Sequence, residues 1–188
     1  SDKLFTNASH YVGGRDTKFA VVRYGNVVGS RGSVVPFFEK IRHTGTVPIT
    51  DPRMTRFWIT LPQGVDFVTS SIERMQGGEI FIPKLPSMNI MDLATAIAPE
   101  CKTKVTGIRP GEKLHEVMIT EDDSRLTVEF DDRYVIIQNN MNDYMKHNGG
   151  TQCIEGFSYS SNTNDCWLTI DSLREMVSPV RTKTLLAA

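Results

Sequence analysis

The sequence has few of the residues that would indicate a metal site, a disulfide framework or a membrane anchor. Its 188 residues include three cysteines (Cys101, Cys153 and Cys166), and none of them belongs to a Cys-x-x-Cys pair. Neither a zinc site nor a set of disulfides is therefore indicated. No apolar run approaches the roughly 18–20 residues that a membrane span needs. We expect three reduced thiols in a cytoplasmic protein that has no metal site and no membrane span.

The chain also lacks an excess of charge of either sign. Twenty-one Lys and Arg residues nearly balance 22 Asp and Glu residues, which gives a net charge of −1. The basic residues are dispersed, so a non-specific nucleic-acid or membrane surface is not indicated. The first five residues have neither the basic start nor the apolar middle of a signal peptide. Hydrophobic residues make up 39% of the chain, enough for a folded core.

Short apolar runs alternate with amphipathic ones, which predicts an α/β fold with a partly parallel sheet. A segment rich in Asn, Gly, Ser and Thr, Asn139–Asp165, predicts a long loop. We expect Leu4, Phe5, Ala8 and Tyr11 to form one face of the first helix. Val65, Phe67, Val68 and Ile72 should be available for burial in the third. The predicted strands are 19–24, 46–50, 56–60, 79–83, 103–108, 126–130 and 134–138, and the predicted helices are 1–11, 34–42, 62–75, 90–98, 111–118 and 172–177, the last capped by Asp171.

The most informative stretch is Gly25-Asn-Val-Val-Gly29-Ser-Arg-Gly32, between a predicted strand and a predicted helix. Glycines at such a junction let backbone N–H groups approach a phosphate at the helix N-terminus. One interpretation is a dinucleotide fingerprint, in which Asp51, about 20 residues further on, accepts a ribose hydroxyl. Pro36, Pro48 and the bulk of Arg31 weaken that interpretation.

The second interpretation is a loop that holds a phosphate-bearing substrate, with Arg31 as the counter-charge. Two further motifs fit a nucleotide diphosphate: Arg53-Met-Thr-Arg56-Phe-Trp58 and Gly107-Ile-Arg109-Pro-Gly-Glu112-Lys113. They supply cations for phosphate, a carboxylate for ribose hydroxyls and a flat surface for a base. Arg53 and Arg56 could equally form surface pairs with Asp51 or Glu73, and Trp58 is also explained as a core residue.

Taken together, these motifs resemble the extended short-chain dehydrogenase/reductases that act on nucleotide sugars. The resemblance is closest to the inverting UDP-N-acetylglucosamine 4,6-dehydratases, also called polysaccharide-biosynthesis proteins. The segments that carry it are Ser1-Asp-Lys-Leu-Phe5, Val22–Phe37, Met54–Trp58, Arg109–Lys113 with His115-Glu116, Tyr159-Ser-Ser161 and Trp167-Leu168.

The resemblance covers only the second half of the family's length, and the chain contains no Tyr-x-x-x-Lys. It therefore implies that the catalytic acid/base residues and the main NADP-binding motif lie upstream, and we assign no catalytic residue and no metal ligand here. The implied fold is the C-terminal part of an NAD(P)-binding Rossmann-type fold plus the small α/β substrate-binding domain. We expect residues 1–45, with part of 75–90, to be the Rossmann remnant. Residues 46–138 should be mostly the substrate-binding domain, and 139–188 a long loop and a C-terminal helix.

The resemblance also implies binding residues by position. Three residues would border NADP: Tyr24, Gly25 and Val27. The substrate would be a UDP-N-acetylhexosamine. Its diphosphate, sugar and uracil would be held by Asn26, Arg31, Gly32, Ser33, Val34, Val35 and Pro48. Arg109 and Glu112 would bind it from the small domain, and Arg56 is an additional candidate.

The implied reaction is an internal redox cycle. NADP+ takes hydride from C4 of the sugar, the C5 proton is removed, water leaves from C6, and hydride returns to C6 with inversion at C5. The product is a 4-keto-6-deoxy sugar nucleotide for surface glycans, and this chain would supply the sugar side, in a full-length homo-oligomer. The alternatives are a UDP-sugar 4-epimerase relative and a non-catalytic NADP- or partner-binding module.

Overall fold

The computed structural model describes residues 2–8, 11–138 and 140–186, with residues 180–186 described through their backbone alone. Ser1 and Asn139, which begin the predicted first helix and the predicted long loop, lie outside these ranges. The elements in chain order are α1 (Asp2–Ala8), β1 (Val21–Val22), β2 (Asn26–Val27), α2 (Val34–Ile41), β3 (Thr46–Ile49), β4 (Thr55–Ile59), α3 (Leu61–Arg74), β5 (Glu79–Pro83), β6 (Ser87–Asn89), α4 (Ile90–Ile97), β7 (Lys102–Val105), β8 (Val117–Ile119), β9 (Thr127–Glu129), β10 (Arg133–Ile137), α5 (Met141–Asn148), β11 (Thr151–Gln152), β12 (Tyr159–Ser160) and α6 (Ile170–Leu186).

The chain divides into two compact units, each built from three separate segments. Unit 1 comprises residues up to 24, 62–84 and 117–159, and unit 2 comprises 25–61, 85–116 and 160 onward. In none of the described ranges is a helix both long enough and apolar enough to cross a membrane.

Unit 1 is built on a five-stranded sheet with the order β1-β5-β10-β9-β11. β1 runs parallel to β5, and β10 pairs antiparallel with both β5 and β9. Every residue of β5 is buried, including the charged Glu79 before the apolar run 80–83. The core residues of this unit are Phe67, Phe81, Val128, Val135, Ile137 and Tyr144.

In unit 1 the predicted apolar face of α1 is wrong, and that of α3 is confirmed only in part. Leu4 and Phe5 of α1 are 73% and 51% exposed, and the buried residue of that helix is Thr6. Thr6 faces inward because its hydroxyl accepts a hydrogen bond from the Gln138 side chain at 2.9 Å. In α3 Phe67 is buried as expected, but Val65 and Ile72 are exposed. Tyr11, which lies beyond the end of α1, is also exposed.

Unit 2 combines short strand pairs with three helices. β2 runs parallel to β4, β4 antiparallel to β6, and β3 parallel to β7. Helix α6 packs on α4 and α2. The largest members of this core are fully buried: Phe38, Ile49, Met88, Leu93, Ile97 and Leu173.

The structure corrects five predicted elements. Residues 111–118 form no helix, because Pro110 and Gly111 (φ +80°) turn the chain and Val117 begins β8. The predicted loop 139–165 contains α5, where the Asn140 side chain accepts the Asp143 N–H, together with the short strands β11 and β12. The last helix begins at Ile170, and the residue whose side chain accepts the Ser172 N–H is Thr169, not Asp171. The strands predicted at 19–24 and 103–108 are shorter, as β1 and β7.

Candidate functional site

Unit 2 contains a cavity of about 580 Å³. Its walls are the segment from β2 into α2, parts of strands β3, β4 and β6, and the loop that follows β7. The lining residues that the sequence had singled out are Asn26, Val27, Gly32, Ser33, Val34, Val35, Pro48, Arg56, Arg109 and Glu112.

The glycine segment presents the N-terminus of α2 to this cavity. Gly29 and Gly32 have φ values of +71° and +76°, which favour glycine and turn the chain into the helix. Ser33 is the N-cap residue, but its side chain caps nothing, and among the described residues its buried Oγ has no hydrogen-bond partner. The N–H groups of Val34 and Val35, in the first turn, have no carbonyl partner within the helix. This wall therefore offers unused donors to an anion.

Gly25 has a different task from the one that its pattern predicts. A Cβ on Gly25 would lie 2.4 Å from the backbone oxygen of Phe57, so only glycine lets β2 approach β4 this closely. Gly25 does not line the cavity, whereas Val27 does. Tyr24 belongs to unit 1 and is 47% exposed.

Arg31 stands apart from the other candidate substrate residues. Its neighbours Ser30 and Gly32 line the cavity, while Arg31 is exposed and does not contribute to the lining. The structure thus brings the backbone on both sides of Arg31 to the cavity, without its guanidinium.

Arg56 lines the cavity, but its guanidinium is committed to protein carbonyls. One terminal nitrogen donates to the carbonyls of Thr55 (2.7 Å) and Leu114 (2.9 Å), and the other donates to that of Lys113 at 2.7 Å. Its Nε lies 3.6 Å from the Glu116 carboxylate. With these bonds satisfied, Arg56 mainly ties strand β4 to residues 113–116.

Arg109 and Glu112 close the cavity from a tight turn. The Glu112 N–H donates to the Arg109 carbonyl at 3.0 Å, and the Glu112 carboxylate accepts the Arg109 N–H at 3.2 Å. Gly107 and Gly111 bracket the turn with φ values of +89° and +80°. Among the described residues the Arg109 guanidinium has neither a hydrogen-bond nor an ion-pair partner, so this cation is available to a ligand.

Asp51, which the dinucleotide interpretation makes the acceptor for a ribose hydroxyl, is already hydrogen-bonded within the protein. The Asp51 carboxylate accepts from the Arg53 guanidinium at 2.8 and 3.0 Å and from the Arg53 N–H at 2.9 Å. These hydrogen bonds lower the pKa of Asp51 to about 2. The alternative surface pair of Asp51 and Arg53 is thus confirmed, and a self-contained dinucleotide site loses its acceptor.

Sequence reasoning missed part of the lining. Thr50 and Thr106 directly follow the parallel strands β3 and β7, and both line the cavity. Ligands bind at the carboxyl ends of parallel strands, so their position was a usable signal. Trp58 is 2% exposed, as expected of a core residue, yet it also forms part of the wall.

Comparison with known proteins matches residues 1–138 to a family described as polysaccharide biosynthesis protein. The chain belongs to this family. It is 53% identical to the UDP-N-acetylglucosamine 4,6-dehydratase (inverting) of Campylobacter jejuni, over 95% of the chain and 56% of that protein. It is also 36% identical to the UDP-glucose 4-epimerase of Rickettsia canadensis, over 64% of the chain and 37% of that protein.

Two solved structures show the fold of this chain. Pen from Bacillus thuringiensis superposes with a TM-score of 0.81 at 30% identity, over 95% of the chain and 54% of Pen. RMD from Pseudomonas aeruginosa, solved in complex with NADPH, gives a TM-score of 0.50 at 11% identity, over 97% of the chain and 53% of RMD. The fold is that of part of a Rossmann-type extended short-chain dehydrogenase/reductase. The chain spans about half the length of the Campylobacter jejuni dehydratase and of Pen.

Proposed function

We propose that unit 2 binds a UDP-N-acetylhexosamine, as the substrate-binding part of an inverting UDP-N-acetylglucosamine 4,6-dehydratase. The observation that supports this proposal is that four kinds of group line the same cavity. They are the unpartnered Arg109 guanidinium, the first-turn N–H groups of α2, the free Ser33 hydroxyl and the Glu112 carboxylate. This combination suits a pyrophosphate flanked by hydroxyl-bearing sugars.

The lining suggests a division of roles. Arg109 and the first turn of α2 would hold the diphosphate, because both supply donors without protein acceptors. Glu112 would accept from ribose hydroxyls, and Pro48 would lie against the uracil. Asn26 and Gly32 would contact the hexose. Arg56 would act on the substrate through the 113–116 segment that it ties down, and Arg31 would approach the diphosphate only through its flanking backbone.

The residues present fit a minor part of an NADP site. Val27 lines the cavity where it could border a nicotinamide, whereas Gly25 is explained by its contact with Phe57. We propose that Tyr24 and Val27 are the border residues and that the main cofactor motif lies in sequence upstream of the matched region. When bound, NADP would supply the hydride acceptor and donor of the dehydration. This chain's own residues would hold the sugar nucleotide in register throughout the cycle.

Binding of UDP-N-acetylglucosamine by the chain, measured by calorimetry, tests the proposal. We expect Arg109→Ala to weaken binding by about 10- to 100-fold, because a hydrogen bond to a charged group contributes roughly 1.5–3 kcal/mol. The affinity of Arg109→Lys should fall between those of the wild type and Arg109→Ala, since a lysine keeps the charge and loses the planar guanidinium.

Arg125→Ala is the matched control for Arg109→Ala. Arg125 is an exposed arginine of unit 1 whose loss changes the net charge equally. Equal affinities of the Arg109 and Arg125 variants would refute the assigned phosphate contact. Absence of any UDP-sugar binding by the wild-type chain would refute the proposed function.

A 4-epimerase relative is the second candidate, supported by the Rickettsia canadensis match. The two candidates differ in the sugar that they select. Competition between UDP-glucose and UDP-N-acetylglucosamine for the wild-type chain separates them, because an N-acetylhexosamine enzyme should prefer the acetamido sugar. A non-catalytic module would not discriminate between the two UDP-sugars. We further propose a cytoplasmic location and homo-oligomeric assembly of the full-length protein.

A further inference from the structure

A hydroxyl–histidine cluster lies beside the cavity in unit 2, between strand β4 and the segment that follows the Arg109 turn. Thr55 Oγ1 lies 2.8 Å from His115 Nδ1 and 2.7 Å from Ser161 Oγ. Thr55 is 5% exposed and Ser161 is fully buried. Thr55 is flanked in sequence by two lining residues, Met54 and Arg56.

Ser161 of this cluster forms hydrogen bonds with both the N–H and the carbonyl of Glu116. The Glu116 N–H donates to Ser161 Oγ at 2.9 Å, and the Ser161 N–H donates to the Glu116 carbonyl at 2.8 Å. The Thr55 N–H donates to the Leu114 carbonyl at 3.2 Å. Residues 114–116 are therefore fixed to β4 and to Ser161 through both backbone and hydroxyl groups.

Counting hydrogens gives the cluster a direction. Ser161 Oγ accepts the Glu116 N–H, and within the described ranges the acceptor left for its own hydrogen is Thr55 Oγ1. Thr55 then has its single hydrogen free for His115 Nδ1, which must accept it without a proton of its own. The reverse direction would leave the buried Ser161 O–H without an acceptor among the described residues. Donation to Thr55 Oγ1 from both neighbours would leave the Thr55 O–H without one, and both arrangements are unfavourable.

We infer that Ser161, Thr55 and His115 form a one-way hydrogen-bond relay that requires neutral His115 with its proton on Nε2. The relay positions the 113–116 segment and, through it, the turn that carries Arg109 and Glu112. These three are positioning residues, and the part of the inference that concerns substrate affinity rests on the proposed function.

The tautomer is tested first, by long-range ¹H–¹⁵N spectra of the imidazole rings at mildly alkaline pH. His115→Gln identifies the His115 signals among the four histidines of the chain. We expect the Nε2–H tautomer in the wild type. A predominant Nδ1–H tautomer or an imidazolium at that pH would overturn the relay, whether or not the chain binds a ligand.

Local hydrogen exchange of the Glu116 amide tests the positioning role. Thr55→Val keeps the shape of the side chain and removes the hydroxyl, so we expect exchange of this amide to rise about ten-fold. Thr55→Ser keeps the hydroxyl and should restore slow exchange, a rescue that a purely steric role would not give. Ser161→Ala, which removes the acceptor itself, is a second variant in case Thr55→Val fails to fold.

Equal exchange in the Val and Ser variants of Thr55 would overturn the inference. Where the wild type binds UDP-N-acetylglucosamine, Thr55→Val should also weaken binding several-fold while Thr55→Ser does not. A wild type without affinity for UDP-sugars would refute the proposed function alone, since the tautomer and exchange results would still decide the relay.

Discussion

Strand β4 passes so close to Gly25 that its backbone leaves no room for a side chain. The missing Cβ would lie 2.4 Å from the Phe57 oxygen and 2.8 Å from the Phe57 Cβ. Neither atom belongs to the flexible end of a side chain, so the contact cannot be relieved by rotation. Gly25 is the first residue of a phosphate-loop pattern, yet its constraint is the pairing of β2 with β4.

We predict that Gly25→Ala lowers the free energy of unfolding by at least about 1 and as much as about 3 kcal/mol, as other overpacked substitutions do. The measurement is urea unfolding of the variant beside the wild type. Gly14→Ala is the control, because a Cβ at Gly14 meets nothing within 4 Å and its φ is not positive. A Gly25 variant as stable as the Gly14 variant would show that β2 can shift away from β4 without loss.

The roles of individual residues in the cavity could be predicted only in part from the sequence. Arg109 and Glu112 were singled out by their turn, and both line the cavity. The hydrogen bonds of the Arg56 guanidinium could not be foreseen, because they depend on which distant carbonyls the fold brings within 3 Å. The pair of Arg53 with Asp51 was among the alternatives because the two residues are neighbours in sequence.

Helix α6 contributes the innermost residues of the unit 2 core. Leu173 and Val177 are fully buried, and they lie on one face of the helix, four residues apart. The adjacent Arg174 and Glu175 are exposed. This helix thus buries one face in the core against α4 and α2 and exposes the opposite face.

Leu173→Ala should reduce the free energy of unfolding by about 2–5 kcal/mol, since it leaves a cavity among α2, α4 and α6. Denaturant unfolding monitored by circular dichroism would measure the loss. Glu175→Ala, two positions away on the exposed face, should change stability by no more than about 0.5 kcal/mol. Similar losses for both variants would mean that α6 contributes through its helical backbone rather than through Leu173.

Elements with strong local signals were predicted well. The short strand predicted at 79–83 became β5 with the predicted bounds, and α2 and α4 begin at the predicted residues. Helix α5 was missed because its eight residues lie in a segment rich in Asn and Gly, although Met141, Tyr144 and Met145 give it one apolar face. Leu4 and Val65 were expected to be buried by periodicity alone, which identifies an apolar face without identifying what covers it.

The stability of the whole molecule should depend on pH at the alkaline end through Tyr144. Burial raises the pKa of this phenol to about 12, from an ordinary value of 10.0. The folded state therefore keeps a proton that the unfolded state loses above pH 10. The contribution of Tyr144 is fully present below pH 10 and is lost as the pH rises towards 12.

We predict that wild-type stability falls between pH 10 and 12 by up to about 1.4 kcal/mol per pH unit from this group. Tyr144→Phe removes the titrating group, so the variant should show a flatter profile over that range. Unfolding free energies at pH 9, 10 and 11 for both proteins give the comparison. Parallel profiles for the two proteins would show that Tyr144 ionises without cost in the folded state.

The interleaved segments of the two units have a consequence for how the chain acquires its fold during synthesis. The unit 2 core joins Val35 and Phe38, near the beginning of the sequence, to Leu173 and Val177, near its end. A ribosome translating this message must therefore have produced α6 before that core can close. Until then the early apolar segments emerge without their partners, and a nascent chain in this condition is a substrate for chaperones that bind exposed hydrophobic stretches.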